Sequence, residues 1–298
     1  MSKNKEQAGL GIAQQYQKRN QMAEIFYRII KNKGALVGLC ILALMFILFI
    51  VSLFMSWESV IQGSVMQRLT PPNRSDLFGL DFMGRSMFNR VIYGTRYTLA
   101  IGFGSAGLGA LLGVSLGAIA GYFGKLTDEI IMRVSDTMAS IPGLLLGMVI
   151  VTALGNGLPQ LIVAVGISSI PFFIRITRAS ILTVRNQEYV EAAHAIGLRP
   201  MKILFSHVLP NGLSPIIIMF SVILGMSIIT AASLSFLGFG IPTPYPEWGR
   251  MIAENREFMM TSSYLLTFPG IFIMITVLAF NLIGDALRDA LDPKLKKR

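Results

Sequence analysis

Residues 186–212 of the chain read NQEYVEAAHAIGLRPMKILFSHVLPNG, a polar and basic stretch that lies between two long apolar segments. Apolar side chains recur at helical spacing from Val190 to Ile196, which predicts a short helix over residues 187–196. Gly197 suits the C-terminal cap of this helix, because glycine enters the left-handed backbone region at little cost.

A second short helix is predicted over residues 201–208. Pro200 fits its first turn, where the backbone N–H that proline lacks would be unpaired in any case. Pro210 is expected to end it. Each helix would be only about 13 to 15 Å long, too short to span a bilayer. Periodicity alone therefore favours an amphipathic helix pair lying on a membrane surface.

The same stretch contains a recognisable pattern: an acidic residue followed by two alanines, a glycine four positions later, and a Leu-Pro pair near the end. These residues are Glu191, Ala192, Ala193, Gly197, Leu209 and Pro210. This pattern resembles the EAA motif of ABC importer permeases, and residues 186–212 are called the EAA-like loop below. His207 stands where Ile is commonest in the general motif, and His followed by Val-Leu-Pro-Asn is familiar in the dipeptide/oligopeptide branch.

Composition indicates a membrane protein. Of 298 residues, 53% are hydrophobic and 14% are charged, whereas a soluble domain carries about 25% charged residues. The single cysteine, Cys40, lies in an apolar run, which excludes a disulfide framework within the chain. The formal charge of +10 resides mainly in tails and loops without a basic patch interleaved with aromatics, so no nucleic-acid partner is expected.

The apolar segments predict an all-α integral membrane protein with six transmembrane helices. The predicted spans are residues 35–55, 98–123, 134–154, 158–174, 213–239 and 264–284. Pro142 and Gly143 are expected to kink the third span. The second span carries a glycine at every fourth position, which predicts a face for close helix packing; these residues are Gly109, Gly113, Gly117 and Gly121.

The domain organisation expected from these spans has five parts. Residues 1–34 form a cytoplasmic tail, of which the part around residues 23–30 suggests a short helix on the bilayer, and residues 35–55 form the first transmembrane helix. Residues 56–97 form an extracytoplasmic connector, residues 98–285 a five-helix core containing the EAA-like loop, and residues 286–298 a cytoplasmic tail. With both termini inside, the inner segments hold 19 of the 26 Lys and Arg residues, as the positive-inside rule requires.

Several chemistries are missing from the sequence. The central portions of the second, fourth and fifth spans contain no ionisable residue, which argues against an ion-coupled carrier. No phosphate-binding loop occurs, since Gly124-Lys125 is followed by Leu126. Two histidines and one cysteine cannot assemble a metal cluster of usual spacing. The chain therefore shows no energy source of its own.

Further segments resemble the dipeptide/oligopeptide branch, so that the resemblance covers roughly residues 35–293. They are Gly79-Leu-Asp-Phe-Met-Gly-Arg85, Tyr93-Gly-Thr-Arg96, Leu234-Ser-Phe-Leu-Gly-Phe-Gly240, Pro246-Glu-Trp-Gly249, Phe268-Pro-Gly270 and Asn281 through Pro293. Leu80 and Ser86 depart from the commoner Thr and Asp. Together these segments resemble the C-type membrane subunit of a peptide importer.

The resemblance implies a type I ABC importer (MetI-like) permease in a bacterial or archaeal cytoplasmic membrane. In that family the permease pairs with a second homologous permease subunit, two cytoplasmic ATPase subunits and an extracytoplasmic substrate-binding protein, and it also contacts membrane lipid. ATP and Mg²⁺ are bound by the ATPase subunits, so no cofactor and no catalytic residue is expected in this chain. Transport proceeds by alternating access.

Two groups of site residues follow from the resemblance. The ATPase-coupling group is Glu188, Glu191, Ala192, Ala193, Gly197, Pro200, Leu209 and Pro210. The substrate path is expected along the third, fifth and sixth spans, and its polar candidates are Ser227, Thr230, Ser233 and Asn281. The alternative for each path residue is a hydrogen bond to its own helix.

The alternatives for function remain distinct. An importer of nickel, glutathione or another small solute would belong to the same branch. An ion-coupled secondary carrier acting alone would need no ATPase, and a structural or signalling membrane subunit would not transport at all.

Overall fold

The computed structural model describes residues 29–291, and this part of the chain is almost entirely helical. The helices are α1 (Lys33–Phe54), α2 (Glu58–Ile61), α3 (Met87–Phe123), α4 (Lys125–Ser140), α5 (Gly143–Leu154), α6 (Leu158–Val184), α7 (Glu188–Ala195), α8 (Pro200–Ile203), α9 (Leu213–Phe236), α10 (Trp248–Asn255) and α11 (Tyr264–Leu291). The expected surface helix around residues 23–30 lies mostly outside the described residues.

Five helical segments are long and apolar enough to cross a membrane, and α4 with α5 makes a sixth if the pair counts as one span. The five are α1, α3, α6, residues 200–236 and α11. The third predicted span is more than kinked, because α4 and α5 meet at 91°. Pro142 disfavours a helical conformation at Ile141, which is extended at φ −90° and ψ 125°, so the helix stops there and restarts at Gly143.

Two helices extend well beyond the spans predicted from hydropathy. α3 begins at Met87, eleven residues before the predicted start of the second span, with the Ser86 side chain accepting a hydrogen bond from the Asn89 N–H. α6 continues to Val184, ten residues past the predicted end of the fourth span. Charged residues predict loops in both stretches. In the structure Arg90, Arg175 and Arg178 pair with acids, and Arg96 stacks on the Tyr93 ring at 3.7 Å from its centroid.

The pairing on α6 joins it to α4. The guanidinium of Arg178 donates to both carboxylate oxygens of Asp128, at 2.5 Å and 2.6 Å, and that of Arg175 donates to Asp136 at 2.8 Å. These contacts hold α4 against the C-terminal half of α6.

The glycines of α3 form a packing face, as predicted. A Cβ atom added at Gly113 would lie 2.8 Å from the Ile170 carbonyl oxygen, and one at Gly117 would lie 2.5 Å from that of Ile174. Gly109 and Gly121 face the same helix. The backbones of α3 and α6 therefore approach too closely for any side chain at these positions.

α3 links two ends of the bundle. Near its start, the indole N–H of Trp248 donates to the Val91 carbonyl at 2.9 Å, and near its end Tyr122 packs against the EAA-like loop. At 1.5 Å per residue these contacts are about 45 Å apart. We call the end built from residues 56–97 and 240–263 the connector end, and the end that carries the EAA-like loop the loop end.

The connector end holds a buried ion cluster that joins the connector and the start of α3 to α10. Arg85 Nε donates to Asp81 at 2.6 Å, and Arg90 Nη2 donates to Glu254 at 3.1 Å. Arg85 also reaches Glu254 at 3.4 Å, and Arg90 lies 3.7 Å from Asp81. All four side chains are 5% exposed or less. Arg250, 25% exposed, also lies 3.5 Å from Glu254, so two buried acids face two buried bases and a third, partly exposed one.

Residues 240–263 connect the fifth and sixth predicted spans, and they include α10, one face of which is buried. Trp248 is fully buried at the start of α10. Glu247 caps this helix, its two carboxylate oxygens each accepting one backbone N–H, from Gly249 and Arg250, at 2.8 Å. Burial raises the pKa of Glu247 even though these hydrogen bonds act in the opposite direction.

Candidate functional site

The first helix of the EAA-like loop, α7, spans Glu188–Ala195, within one residue of the prediction at each end. Its inner face carries Val190 and Ala193, which are buried in a cluster with Ala118 of α3 and Ile181 of α6. The two alanines of the motif therefore differ in environment. Ala193 packs inside this chain, and only Ala192 remains exposed.

Gly197 caps α7, as predicted. It adopts φ +78°, its N–H donates to the His194 carbonyl at 2.9 Å, and the N–H of Leu198 donates to the Ala193 carbonyl at 3.3 Å. These two bonds are those of a Schellman motif, which requires a left-handed residue after the helix. Leu198 then packs beside Ala193 in the same apolar cluster.

The second helix of the loop does not end at Pro210, contrary to the prediction. Pro200 begins α8 as expected, and the backbone then passes through a π-helical turn at residues 204–208 and a 3₁₀ turn at residues 210–212 into α9. The wider turn pairs the Leu209 N–H with the Leu204 carbonyl, five residues back, at 2.8 Å. Pro210 starts the next helical turn, where no N–H is required of it, so the loop continues directly into a membrane helix.

Polar contacts tie the loop end together. The Tyr122 hydroxyl of α3 lies 3.1 Å from Nε2 of His194 on α7. The Ser180 hydroxyl of α6 donates to the Gly212 carbonyl at 2.7 Å, and Arg185 donates to the Gly121 carbonyl at 2.7 Å. These contacts join α7 to α3, α6 to the residue before α9, and the residue after α6 to α3.

The outer face of the loop is exposed and combines acids with apolar side chains. Glu188 and Glu191 lie in the first turn of α7, where the helix dipole favours negative charge. Large apolar side chains are exposed beside them: Tyr189, Ile196, Met201 and Phe205. Pro200 and Pro210 are exposed too, whereas Leu209 packs partly against the buried cluster. Such a surface is suited to contact another protein.

An open cavity of about 540 Å³ lies between α5, α6 and α9. Ser227, Thr230 and Ser233 of α9 line it, and Asn281 of α11 does not. The opposite wall is formed by Ser168, Ser169 and Phe172 of α6. This helix is the fourth span, which was not predicted to line the path. The adjacent serines in that span were the available signal.

Two further contacts, one at each end of the bundle, join residues that are distant in sequence. His194 is exposed, and its contact with Tyr122 joins positions 72 apart in the chain. The ion cluster of the connector end joins residues more than 160 positions apart. No local pattern marks either pairing.

Two family models match the chain, and only residues 73–112 of the described range lie outside them. The model described as "Binding-protein-dependent transport system inner membrane component" matches residues 113–297, more than half of the chain. The one described as "N-terminal TM domain of oligopeptide transport permease C" matches residues 20–72.

Similar proteins and structures agree with these models. The dipeptide transport system permease protein DppC of Alkalihalophilus pseudofirmus is 39% identical over 95% of this chain and 93% of its own length. The glutathione transport system permease protein GsiD of Pectobacterium atrosepticum is 42% identical over 93% of each chain. The solved structure of the MetNI methionine ABC transporter in inward-facing conformations has a permease-like fold with TM-score 0.57 at 20% identity, covering 69% of this chain and 98% of that one.

The matched families and the multi-span helical fold agree with each other and with the resemblance read from the EAA-like loop. The chain belongs to the inner membrane components of binding-protein-dependent transport systems and is a multi-pass, C-type permease subunit of an ABC importer.

Proposed function

We propose that this permease forms one half of the pathway by which an ATP-driven importer moves di- or oligopeptides across the cytoplasmic membrane. A second homologous permease subunit completes the pathway, two cytoplasmic ATPase subunits bind and hydrolyse ATP with Mg²⁺, and an extracytoplasmic binding protein delivers the substrate. Relatives named for dipeptide transport support the substrate class.

One observation carries the coupling role of the EAA-like loop. Its inner face is anchored to α3 and α6 by Val190 and Ala193, by the Tyr122–His194 contact and by the continuous backbone into α9. Its outer face, which includes Glu188, Glu191 and Ala192, is left without a covering element in the described residues. A partner bound to this face can therefore move membrane helices, which is what coupling to an ATPase requires.

The orientation follows from charge. The excess of Lys and Arg in the tails and the EAA-like loop supports a cytoplasmic loop end. The connector end then faces outward, where a polar groove of about 730 Å³ offers a docking surface for the binding protein. Its polar lining includes Ser59, Gln62, Gln67, Asp76 and Asn89.

Glutathione is the second candidate substrate, because the GsiD relatives are as similar to this chain as the dipeptide permeases. Glutathione is itself a peptide, so the two candidates share main-chain chemistry and differ in net charge. Uptake of a neutral dipeptide and of glutathione by the same reconstituted complex separates them.

The test of the coupling role is a matched pair of charge insertions. Ile196→Glu and Met260→Glu each place a carboxylate where an apolar side chain is 76% or 94% exposed, at opposite ends of the bundle. Since neither side chain is packed in the described chain, both variants should fold. ATPase subunits that co-purify from mild detergent are then quantified.

We expect Ile196→Glu to lose most of the co-purifying ATPase and Met260→Glu to retain it. Equal ATPase recovery in both variants, at normal uptake, would show that this face does not couple. Recovery of the wild-type chain without any ATPase, even after crosslinking, would remove the importer assignment and favour a self-sufficient carrier.

A further inference from the structure

We infer that the cavity between α5, α6 and α9 recognises the main-chain N–H groups of its substrate through hydroxyl oxygens that act only as acceptors. The inference rests on the proposed function and specifies the chemistry of this chain's half of the path. It starts from five hydroxyl side chains that line the cavity: Ser168, Ser169, Ser227, Thr230 and Ser233.

Four of these five hydroxyl protons are already committed, and the fifth belongs to Ser227, which is only 2% exposed. On α9, Thr230 donates to the Met226 carbonyl and Ser233 to the Ile229 carbonyl, both at 2.9 Å. On α6, Ser168 donates to the Ala164 carbonyl at 2.9 Å and Ser169 to the Gly166 carbonyl at 2.8 Å. A carbonyl oxygen cannot donate, so the direction of each bond is certain.

Each of these oxygens keeps lone pairs, so it can accept a further hydrogen bond while its own proton stays in place. A substrate acceptor would gain nothing unless a hydroxyl first broke its helix bond. A substrate donor, such as an amide N–H or an ammonium group, binds without that cost. These four hydroxyls, two on each wall, are thus selective for donors.

The rest of the lining is apolar and uncharged. It consists of glycine and aliphatic residues with the larger side chains Phe172, Met219 and Met226. No residue lining the cavity is ionisable. Flexible methionines accommodate varied shapes, and a wall without cations gives no attraction to an anion. This half of the path therefore recognises what all peptides share, and it favours neutral or cationic peptides over anionic ones.

The size agrees with this assignment. A volume of about 540 Å³ falls within the range of about 300 to 1,000 Å³ that holds small ligands. A short peptide fits this space.

The test is a double perturbation in the full complex, reconstituted in liposomes with its binding protein. Thr230→Val removes one acceptor and keeps the shape of the side chain. Thr152→Val is the matched control, since Thr152 makes the same bond to its own helix, to the Met148 carbonyl at 2.7 Å, and does not line the cavity. Ser233→Ala serves as a second cavity variant.

Uptake of a neutral tripeptide is compared with that of analogues that each carry one N-methylated amide. N-methylation removes one donor, and any penalty at the binding protein is the same for every permease variant. The interaction between the two changes therefore reports the cavity alone. For at least one analogue, we expect the methylation penalty to shrink about three- to tenfold in a cavity variant, the effect of one hydrogen bond, and to stay unchanged in Thr152→Val.

Penalties that are identical in wild type, Thr230→Val and Ser233→Ala for every analogue would overturn the inference and leave the proposed function standing. If the wild-type complex takes up neither neutral peptides nor glutathione, the proposed function fails, and the inference, which rests on it, fails with it.

Discussion

Replacing Glu254 with glutamine tests whether the ion cluster holds the connector end together. Glu254 is the acid that α10 contributes, and it contacts Arg85 at 3.4 Å and Arg90 at 3.1 Å. The substitution keeps the size of the side chain and removes its charge. Asp81 then remains as the one acid facing the buried guanidinium groups of Arg85 and Arg90, and Arg250, 3.5 Å from Glu254, loses this carboxylate as well.

The expected magnitude follows from burial. Arg90 is fully buried, so its charged form depends on the acids beside it. Removing one partner of a buried ion pair costs about 3 to 5 kcal/mol of folding free energy. Glutamine retains one oxygen that can accept from Arg90, so we expect the lower limit, about 3 kcal/mol. At about 2 to 4 °C per kcal/mol this lowers the unfolding midpoint by roughly 6 to 12 °C.

The assay is thermal unfolding of the purified full chain in mild detergent, followed by tryptophan fluorescence. Both tryptophans of the chain, Trp57 and Trp248, lie at the connector end. Their emission therefore reports this end of the bundle. Glu257→Gln is the matched control, because Glu257 is an exposed acid in the same segment.

The reasoning would be refuted by equal midpoints for Glu254→Gln and Glu257→Gln. It would also be refuted if Glu254→Gln lowered the midpoint at the loop end first, detected with a fluorophore there, while the tryptophan signal was unchanged.

Two further predictions concern packing and pH. Gly113→Ala should destabilise the chain by about 1 to 3 kcal/mol, because its Cβ would meet the Ile170 carbonyl and the Phe173 side chain. Gly107→Ala, on the same helix, places a Cβ that meets nothing within 4 Å and should be neutral or stabilising by up to ~1 kcal/mol. Equal denaturation midpoints for the two variants would contradict the packing face. Burial raises the pKa of Glu247, so between the unfolded value of about 4.3 and the folded value only the folded chain holds this proton, and the free energy of unfolding should fall as pH rises through that window. Glu247→Gln cannot titrate and should flatten this part of the pH profile, measured as unfolding midpoint against pH; an unchanged slope would show that other groups produce it.

Much of the fold could be predicted because the bilayer imposes simple requirements. Apolar length located the spans, and the four-residue glycine repeat located the face that packs on α6. Gly197 and Pro200 marked the turn between α7 and α8, since each satisfies a backbone requirement that few residues meet. The motif residues of the EAA-like loop sufficed to indicate the family.

The predictions from sequence failed where tertiary contacts changed the free-energy cost of placing a residue in a helix. Arg90 and Arg175 marked loops in a hydropathy reading, and both lie on long helices because acids distant in sequence neutralise them. Pro210 marked a helix end, and a π-helical turn removed the need for its missing N–H. Of the third, fifth and sixth spans predicted to line the path, α5 and α9 line the cavity, together with α6, which was not predicted to do so.

The sequence by itself determined the membrane class, the approximate spans, the turn at Gly197 and the family, because each depends on local composition or on a single residue's backbone preference. Only the tertiary structure decided that Ala193 faces inward while Ala192 faces outward, that four distant charges share one buried cluster, and that hydroxyls from two helices share one cavity. These features depend on which surfaces meet in three dimensions. Such meetings are set by the packing of whole helices, and a linear pattern carries no record of them.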